Sequence, residues 1–327
     1  MKKTEKVIIR DTTLRDGLQH EEHYMPLDQR LRMTKMMVDA GVRYLEVGSM
    51  SHPGYLPQFK EIDGFLTDYL PKIENKDIEY TVLALNAKAV ERVENLLKKG
   101  VRIDRVLTGQ IATSEAYAKK NMNRTREELL SEAAINVRRL HDAGIPKVCA
   151  NVGTIFGCPI QGEMSLEIAY EFTDRLFEMG FDEIEHSDTE GTATPEKIRM
   201  YFKEVMRRWP DQEKHIFHVH DIYGMGMTGY YTAYQEGIRQ FECTLGGIGG
   251  QPANRMDGVL FKGTGDYYFA NGRTGLVASE DFVSMLQAMH VDTGIDKEKI
   301  INAGSVLEKV LGRKLDSFVV NHQEKYV

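Results

Sequence analysis

Short β-branched runs alternate with longer stretches of helical periodicity along most of the chain. The short runs are KVIIR (6 to 10), VRYLEVGS (42 to 49), IEYTVLA (78 to 84), RIDRVLTG (102 to 109), KVCANVG (147 to 153), DEIEHSD (182 to 188), HIFHVHD (215 to 221) and FECTLGG (241 to 247). Between them, LDQRLRMTKMMVDAG, NAKAVERVENLLKKG, TREELLSEAAINVRRLHDAG, SLEIAYEFTDRLFEMG and TPEKIRMYFKEVMRRWP place apolar residues three and four apart and stop at Gly or Pro. Eight strand-then-helix units with right-handed crossovers predict an α/β fold closed into a (β/α)8 TIM barrel, with a doubly wound open sheet as its competitor. SEDFVSMLQAMHVDTG and DKEKIINAGSVLEKVLG predict additional C-terminal helices. The expected organisation is a catalytic barrel over 1–292, with an insertion near 253–274, followed by a helical extension over 293–327 packed on the barrel.

Composition narrows the picture without changing it. The 327 residues carry 42 Lys+Arg against 49 Asp+Glu, a formal charge of −7, and 42% are hydrophobic. That composition builds a large core and excludes disordered, collagen-like and disulfide-stapled chains. The negative balance disfavours a nucleic-acid partner, which needs basic surface to neutralise phosphates. Three cysteines without a C-x-x-C pair read as thiols in a reducing cytoplasm. The N-terminus lacks the apolar core of a signal peptide, and no run approaches a membrane span, so a cytoplasmic protein with no membrane partner is expected.

In a barrel of this type the chemistry sits where strands end and βα loops begin. His218 and His220 lie two apart in a strand and therefore share a face, making a chelating pair for a divalent metal or else two core histidines. The first loop, Arg10 to Gln19, offers Asp16 as a third, oxygen ligand, or as a turn residue before Gly17. Arg15 beside it suits a carboxylate or a developing enolate. Glu46 interrupts an apolar strand and must either pair with Arg15 or move a proton. Asp188 supports the metal from behind or caps the turn that follows. Gly246, Gly247, Gly249 and Gly250 allow close backbone approach, to a ligand or within a tight turn.

These residues belong to a longer set of ordered motifs. RDTTLRDGLQHEE, LEVGSMSHPGYLPQF, the GCP of Gly157 to Pro159, SDTEGTATP, HVHDIYGMG, LGGIGGQP and ASEDFVSML together resemble the hydroxymethylglutaryl-CoA lyase family. This family lies within the metal-dependent barrels with a pyruvate carboxyltransferase-like domain that include isopropylmalate and homocitrate synthases. The resemblance implies a barrel with Mg2+ or Mn2+ at its C-terminal face, Zn2+ being the alternative. It assigns Asp16, His218 and His220 to the metal and matches the family's loop-one arginine and strand-two glutamate with Arg15 and Glu46; these two, with Asp188 from the strand-end reading above, are the expected catalytic residues. It implies a small-molecule substrate, with a CoA thioester as the expected form, and a homo-oligomer.

Two family positions differ here. Gln251 stands where the lyases carry a catalytic cysteine, and Leu276 where they carry a metal-binding asparagine. The insertion supplies Arg255, Lys262, Asp266, Tyr267, Tyr268, Asn271 and Arg273, a set that suits a substrate-covering lid or a surface contact. Gln19, Gln251, Asn271 and Arg273 are the expected substrate-binding residues. The activity this implies is carbon–carbon cleavage of a 3-hydroxyacyl-CoA or a related 3-hydroxy acid by retro-Claisen or retro-aldol chemistry. The alternatives are an enzyme condensing an acyl-CoA with a 2-oxo acid, a CoA-independent aldolase, and a non-catalytic barrel.

Overall fold

In a computed structural model of the protein, the described residues are 6–19, 21, 23–54, 56–250, 253–256, 259–262 and 275–323. Eight parallel strands close on themselves: β1 (Ile8–Asp11), β2 (Tyr44–Ser49), β3 (Glu79–Leu83), β4 (Arg105–Ala112), β5 (Lys147–Gly153), β6 (Glu183–Asp188), β7 (His215–Val219) and β8 (Gln240–Cys243). Each pairs with its sequence neighbours, and Ile8 to Asp11 of β1 align with Gln240 to Cys243 of β8. All eight runs read from the sequence are strands of this barrel. The last is shorter than its pattern, because Gly246 turns into a left-handed conformation at φ 62° and gives its N–H to the Glu280 carboxylate.

The helices follow from the same periodicity. Arg126–Asp142 begins with a reciprocal cap: Thr125 accepts the Glu128 N–H, and the Glu128 side chain accepts the Thr125 N–H. After β8 the chain forms an antiparallel hairpin of β9 (Ala253–Met256) and β10 (Val259–Lys262). This hairpin packs against the helix Glu115–Met122 that follows β4. Strands 4 and 8 stand opposite each other in an eight-stranded barrel, so the hairpin reaches across the mouth. The chain then continues as helices Ser279–Ala288, Lys297–Leu311 and Phe318–Gln323. No helix among the described residues is long and apolar enough to cross a membrane. Cys149, Cys158 and Cys243 are buried free thiols.

The barrel interior is ionic where such interiors are commonly filled by Val, Ile and Leu. Arg10 binds Glu79, Glu183 (3.1 Å) and Gln240 (3.0 Å). Arg105 spans Glu183 (2.7 Å) and Glu185 (3.0 Å). Burying such charges is tolerable only because each is paired and hydrogen-bonded.

Outside the barrel wall, His186 and His215 form a buried relay. His186 lies 2.8 Å from the Tyr201 hydroxyl and 3.0 Å from His215, whose other ring nitrogen lies 2.9 Å from the Trp209 carbonyl. Burial holds both rings neutral, His186 well below the ordinary range and His215 down to about 4. The unfolded chain takes up protons at these sites below about pH 6.5, whereas folded His215 does so only near pH 4. Their contribution is therefore full above pH 6.5 and is lost as the pH falls toward 4. For His215 alone the loss amounts to about 2 kcal/mol by pH 5. Urea unfolding between pH 7.5 and 5 is expected to show this decline, and His215→Asn is expected to flatten it. A variant slope equal to that of the wild type would assign the decline elsewhere.

Candidate active site

Loop 1 leaves β1 as one wide helical turn, Thr13–Gly17, in which every residue is buried. This turn aims Arg15 and Asp16 at the barrel axis. Two strands away, His218 near the end of β7 and His220 just beyond it project to the same side, with ring centroids 4.9 Å apart and Nε2 atoms 3.1 Å apart. One ligand atom from each of Asp16, His218 and His220 lies within 4.8 Å of the others, and all three residues are buried. The three predicted metal ligands therefore converge on one point at the C-terminal rim.

The chemistry of this donor set fits a divalent cation. His218 Nδ1 lies 2.8 Å from Glu242 Oε2; a proton donated there leaves the Nε2 lone pair facing the cluster. Burial disfavours the charged form of His218, so the ring is held neutral, the form that ligates. Burial also pushes the Asp16 carboxyl up, but Arg15 beside it brings it below its usual range. Asp16 Oδ1 is buried and has no hydrogen-bond partner. A buried carboxylate oxygen left open beside two imidazoles is what a cation would complete.

Arg15 links the cluster to Glu46. Its Nη1 donates to Asp16 Oδ2 at 2.6 Å, and its Nε lies 2.6 Å from Glu46 Oε2. The second contact is too poorly aligned for a hydrogen bond and acts as an ion pair. Burial opposes the Arg15 charge, but Glu46 and Asp16 more than offset it, so the guanidinium stays charged. Glu46 is held above the usual carboxylate range by burial, opposed by Arg15 and reinforced by the nearby acids Glu242 and Glu185.

The cavity in front of these groups is about 190 Å3, lined among others by Arg15, Asp16, Gln19, His218 and His220. This is smaller than the roughly 300–1,000 Å3 of a drug-sized site, so it suits a short acyl group. A second groove of about 1,000 Å3 is lined by residues from Glu21 to Arg32, by Gly247 to Gly249 and by the end of the helix Lys297–Leu311. Arg32, Lys309 and Arg313 stand on its walls.

Other predicted residues fall differently. Gln19 donates to the Gly250 carbonyl (2.8 Å) and to Asp16 (3.3 Å), tying loop 1 to the glycine segment. Asp188 does not line the cavity; its Oδ2 accepts the Ala193 N–H at 3.0 Å, the turn-capping alternative, while Oδ1 is buried without a partner. Burial raises Asp188 to about 6. Gln251, Asn271 and Arg273 lie outside the described residues, as do Tyr267 and Tyr268. Leu276 is fully buried and bridges to His220 by backbone pairing, giving the cluster an apolar neighbour where the family resemblance implied a ligand.

The glycines serve close approach within the protein. At Gly249, with φ +135°, a Cβ would stand 2.7 Å from Asp16 Oδ1; at Gly275 it would meet the Gly247 carbonyl oxygen at 1.9 Å. Glu242, Glu185 and Asn151 escaped the sequence reading. Their signal is a polar residue at an inward position of a buried strand, of the kind that singled out Glu46.

Fold and site together define a (β/α)8 barrel enzyme with a carboxylate–imidazole cluster, a candidate metal site, at its C-terminal rim. Residues 6–307 match the HMGL-like family model, and the chain belongs to that family, whose chemistry makes it a carbon–carbon lyase. It is 31% identical over 325 residues to (R)-citramalyl-CoA lyase of Chloroflexus aurantiacus, covering 96% of this chain and 94% of that one. It is 28% identical over 315 residues to hydroxymethylglutaryl-CoA lyase YngG of Bacillus subtilis, covering 95% of each. The structure superposes on an HMG-CoA lyase from Acinetobacter baumannii in complex with coenzyme A and 3-methylmalate. That match has a TM-score of 0.84 at 25% identity, over 97% of this chain and 94% of the other.

Proposed function

We propose that the protein cleaves a short-chain 3-hydroxyacyl-CoA between C2 and C3, releasing an acyl-CoA and a carbonyl compound. The observation that carries this reading is the convergence of Asp16, His218 and His220 beside Arg15 in a cavity of acyl size; a larger groove is walled by Gly247 to Gly249, next in sequence to Gly250 of the cavity wall. The groove's basic side chains suit the phosphates of a CoA nucleotide. Asp16, His218 and His220 would hold a divalent cation, Mg2+ or Mn2+, which supplies Lewis-acid polarisation of the substrate oxygens.

The protein's own groups divide the remaining work. Glu46, held protonatable behind Arg15 and outside the cavity lining, takes up the proton of the 3-hydroxyl through a relay rather than by direct contact. As the C2–C3 bond breaks, its electron pair moves onto the thioester as an enolate, which the Arg15 guanidinium stabilises. A proton returned to C2 completes the acyl-CoA. Asp188 holds the loop after β6 rather than touching the reacting atoms. Gln251, Asn271 and Arg273 serve substrate binding in this reading. We place the protein in the cytoplasm.

The test is incubation of purified protein with Mn2+ and 3-hydroxyacyl thioesters, following acetyl-CoA by chromatography. Release from the CoA thioester, and not from the free acid, is expected. Release of free CoA thiol from acetyl-CoA plus a 2-oxo acid would replace this reading with condensation.

A further inference from the structure

The proton that returns to C2 needs a donor that faces the catalytic cavity. Among the described residues lining that cavity, the carboxyls are Asp16 and Glu185. Asp16 is held ionised beside Arg15 and belongs to the candidate metal site. Glu46 does not line the cavity. That leaves Glu185.

Strand β6 delivers it. Glu183, Glu185 and Ser187 alternate along the strand and so share its inward face. Glu183 belongs to the ionic floor with Arg10 and Arg105, whereas Ser187 aligns with His218 of β7. Glu185 stands between these levels, and both it and Ser187 line the cavity. Its carboxyl is fixed from two sides: Oε1 accepts from Arg105 Nη2 at 3.0 Å, and Oε2 accepts from Asn151 Nδ2 at 3.4 Å. Its charge bears on Arg15, Glu46 and His218, the groups around the reacting centre. Burial and the neighbouring Glu242 raise the carboxyl to about 7, with Arg105 and His218 opposing them. A carboxyl in that range carries a proton near neutral pH and still gives it up, the property a general acid needs.

We infer that Glu185 is a catalytic residue of this cleavage, the acid that returns the proton to C2. This deepens the thioester-lyase reading and rests on it. The Glu185 O–H bond breaks as the C2–H bond forms; the enolate's electron pair enters the new bond and the thioester carbonyl is restored. Glu185 is left as a carboxylate, which Arg105 steadies. The proton taken from the 3-hydroxyl passes by way of Glu46 to water, and water returns one to Glu185, so the reaction balances with no further reactant. In the reverse direction the Glu185 carboxylate removes a proton from C2 of an acyl-CoA.

That reverse step supplies the test, because exchange at C2 needs the acid–base group but no bond between C2 and C3. Mn2+-loaded protein is incubated with acetyl-CoA in D2O, and deuterium entering the methyl group is followed by mass spectrometry, in parallel with cleavage of 3-hydroxy-3-methylglutaryl-CoA. Glu185→Gln, which keeps the shape but has no acidic proton, is expected to lower both rates by about 10²- to 10⁴-fold. Its Mn2+ content and acetyl-CoA affinity are expected to stay within about 3-fold of wild type. Glu185→Asp is expected to recover part of both rates. Exchange at the wild-type rate in folded, metal-loaded Glu185→Gln would overturn the assignment, as would a loss confined to Tyr117→Phe, which removes the cavity's phenol. Where Glu185→Gln does not fold, Glu185→Asp decides: exchange slowed at full metal content sustains the role, and unchanged exchange rejects it. If wild type cleaves no 3-hydroxyacyl-CoA, the lyase reading fails, and exchange still decides Glu185. Exchange that depends on Glu185 sustains the assignment; exchange that is absent or independent of it rejects it.

Discussion

His218→Ala is expected to abolish stoichiometric Mn2+ binding and to lower kcat by roughly 10³-fold or more, since the several kcal/mol of charge stabilisation supplied at such a site are lost with the ion. The geometry makes the effect specific. His218 and His220 present Nε2 atoms 3.1 Å apart, and Asp16 closes the group within 4.8 Å. Removing one imidazole leaves two donors, and Leu276, which packs beside His220, offers none. It also strands Glu242, whose Oε2 stands 2.8 Å from His218 Nδ1. Metal analysis after dialysis, with circular dichroism as the folding control, checks the claim. Equal metal content in folded variant and wild type would place the ion elsewhere.

Arg15→Met is expected to lower kcat by about 10²- to 10³-fold while the protein still binds its metal, the range seen when a single preorganised donor to a developing oxyanion is removed. Arg15 joins Asp16 and Glu46, each at 2.6 Å. Without it, Glu46 loses the charge that favours its ionised form and stays protonated, so the variant does not bury an unpaired anion. Asp16 loses the chief influence that lowers its carboxyl, while burial continues to raise it. Because only the carboxylate ligates, protons compete with the metal at higher pH in the variant than in wild type. Metal affinity measured from pH 8 to pH 5 should fall earlier in Arg15→Met. Coincident curves would mean that Arg15 does not set the state of Asp16.

The barrel was legible because its strands are short β-branched runs and most of its helices are long and amphipathic, so the two periodicities separate cleanly. Elements that break this contrast were not. The helix Gly226–Gln235 contains two glycines, and the helical turns at 57–72 are interrupted by Pro and Gly, so neither shows a sustained apolar face. The convergence of Asp16, His218 and His220 was legible from H-x-H and from an acid in the first loop. Asn121, which lines the cavity from the helix Glu115–Met122, was not, because an asparagine in a polar helix carries no signal until the helix is seen to wall a cavity. Asp188 illustrates a different limit. An acid at a strand end serves a turn or a site equally well, and only the Ala193 N–H distinguishes them.

The charged filling of the barrel sets terms for how this sequence diverges. Arg10 and Arg105 share Glu183, and Arg10 also engages Glu79. Truncating Arg105 would leave Glu185 without a cationic partner in a buried interior, and truncating any other member would unbalance the charge of the rest, changes that single substitution tolerates poorly. Descendants of this chain should therefore alter these positions in concert, so that the floor beneath the catalytic rim drifts as a block while the surrounding helices vary one residue at a time.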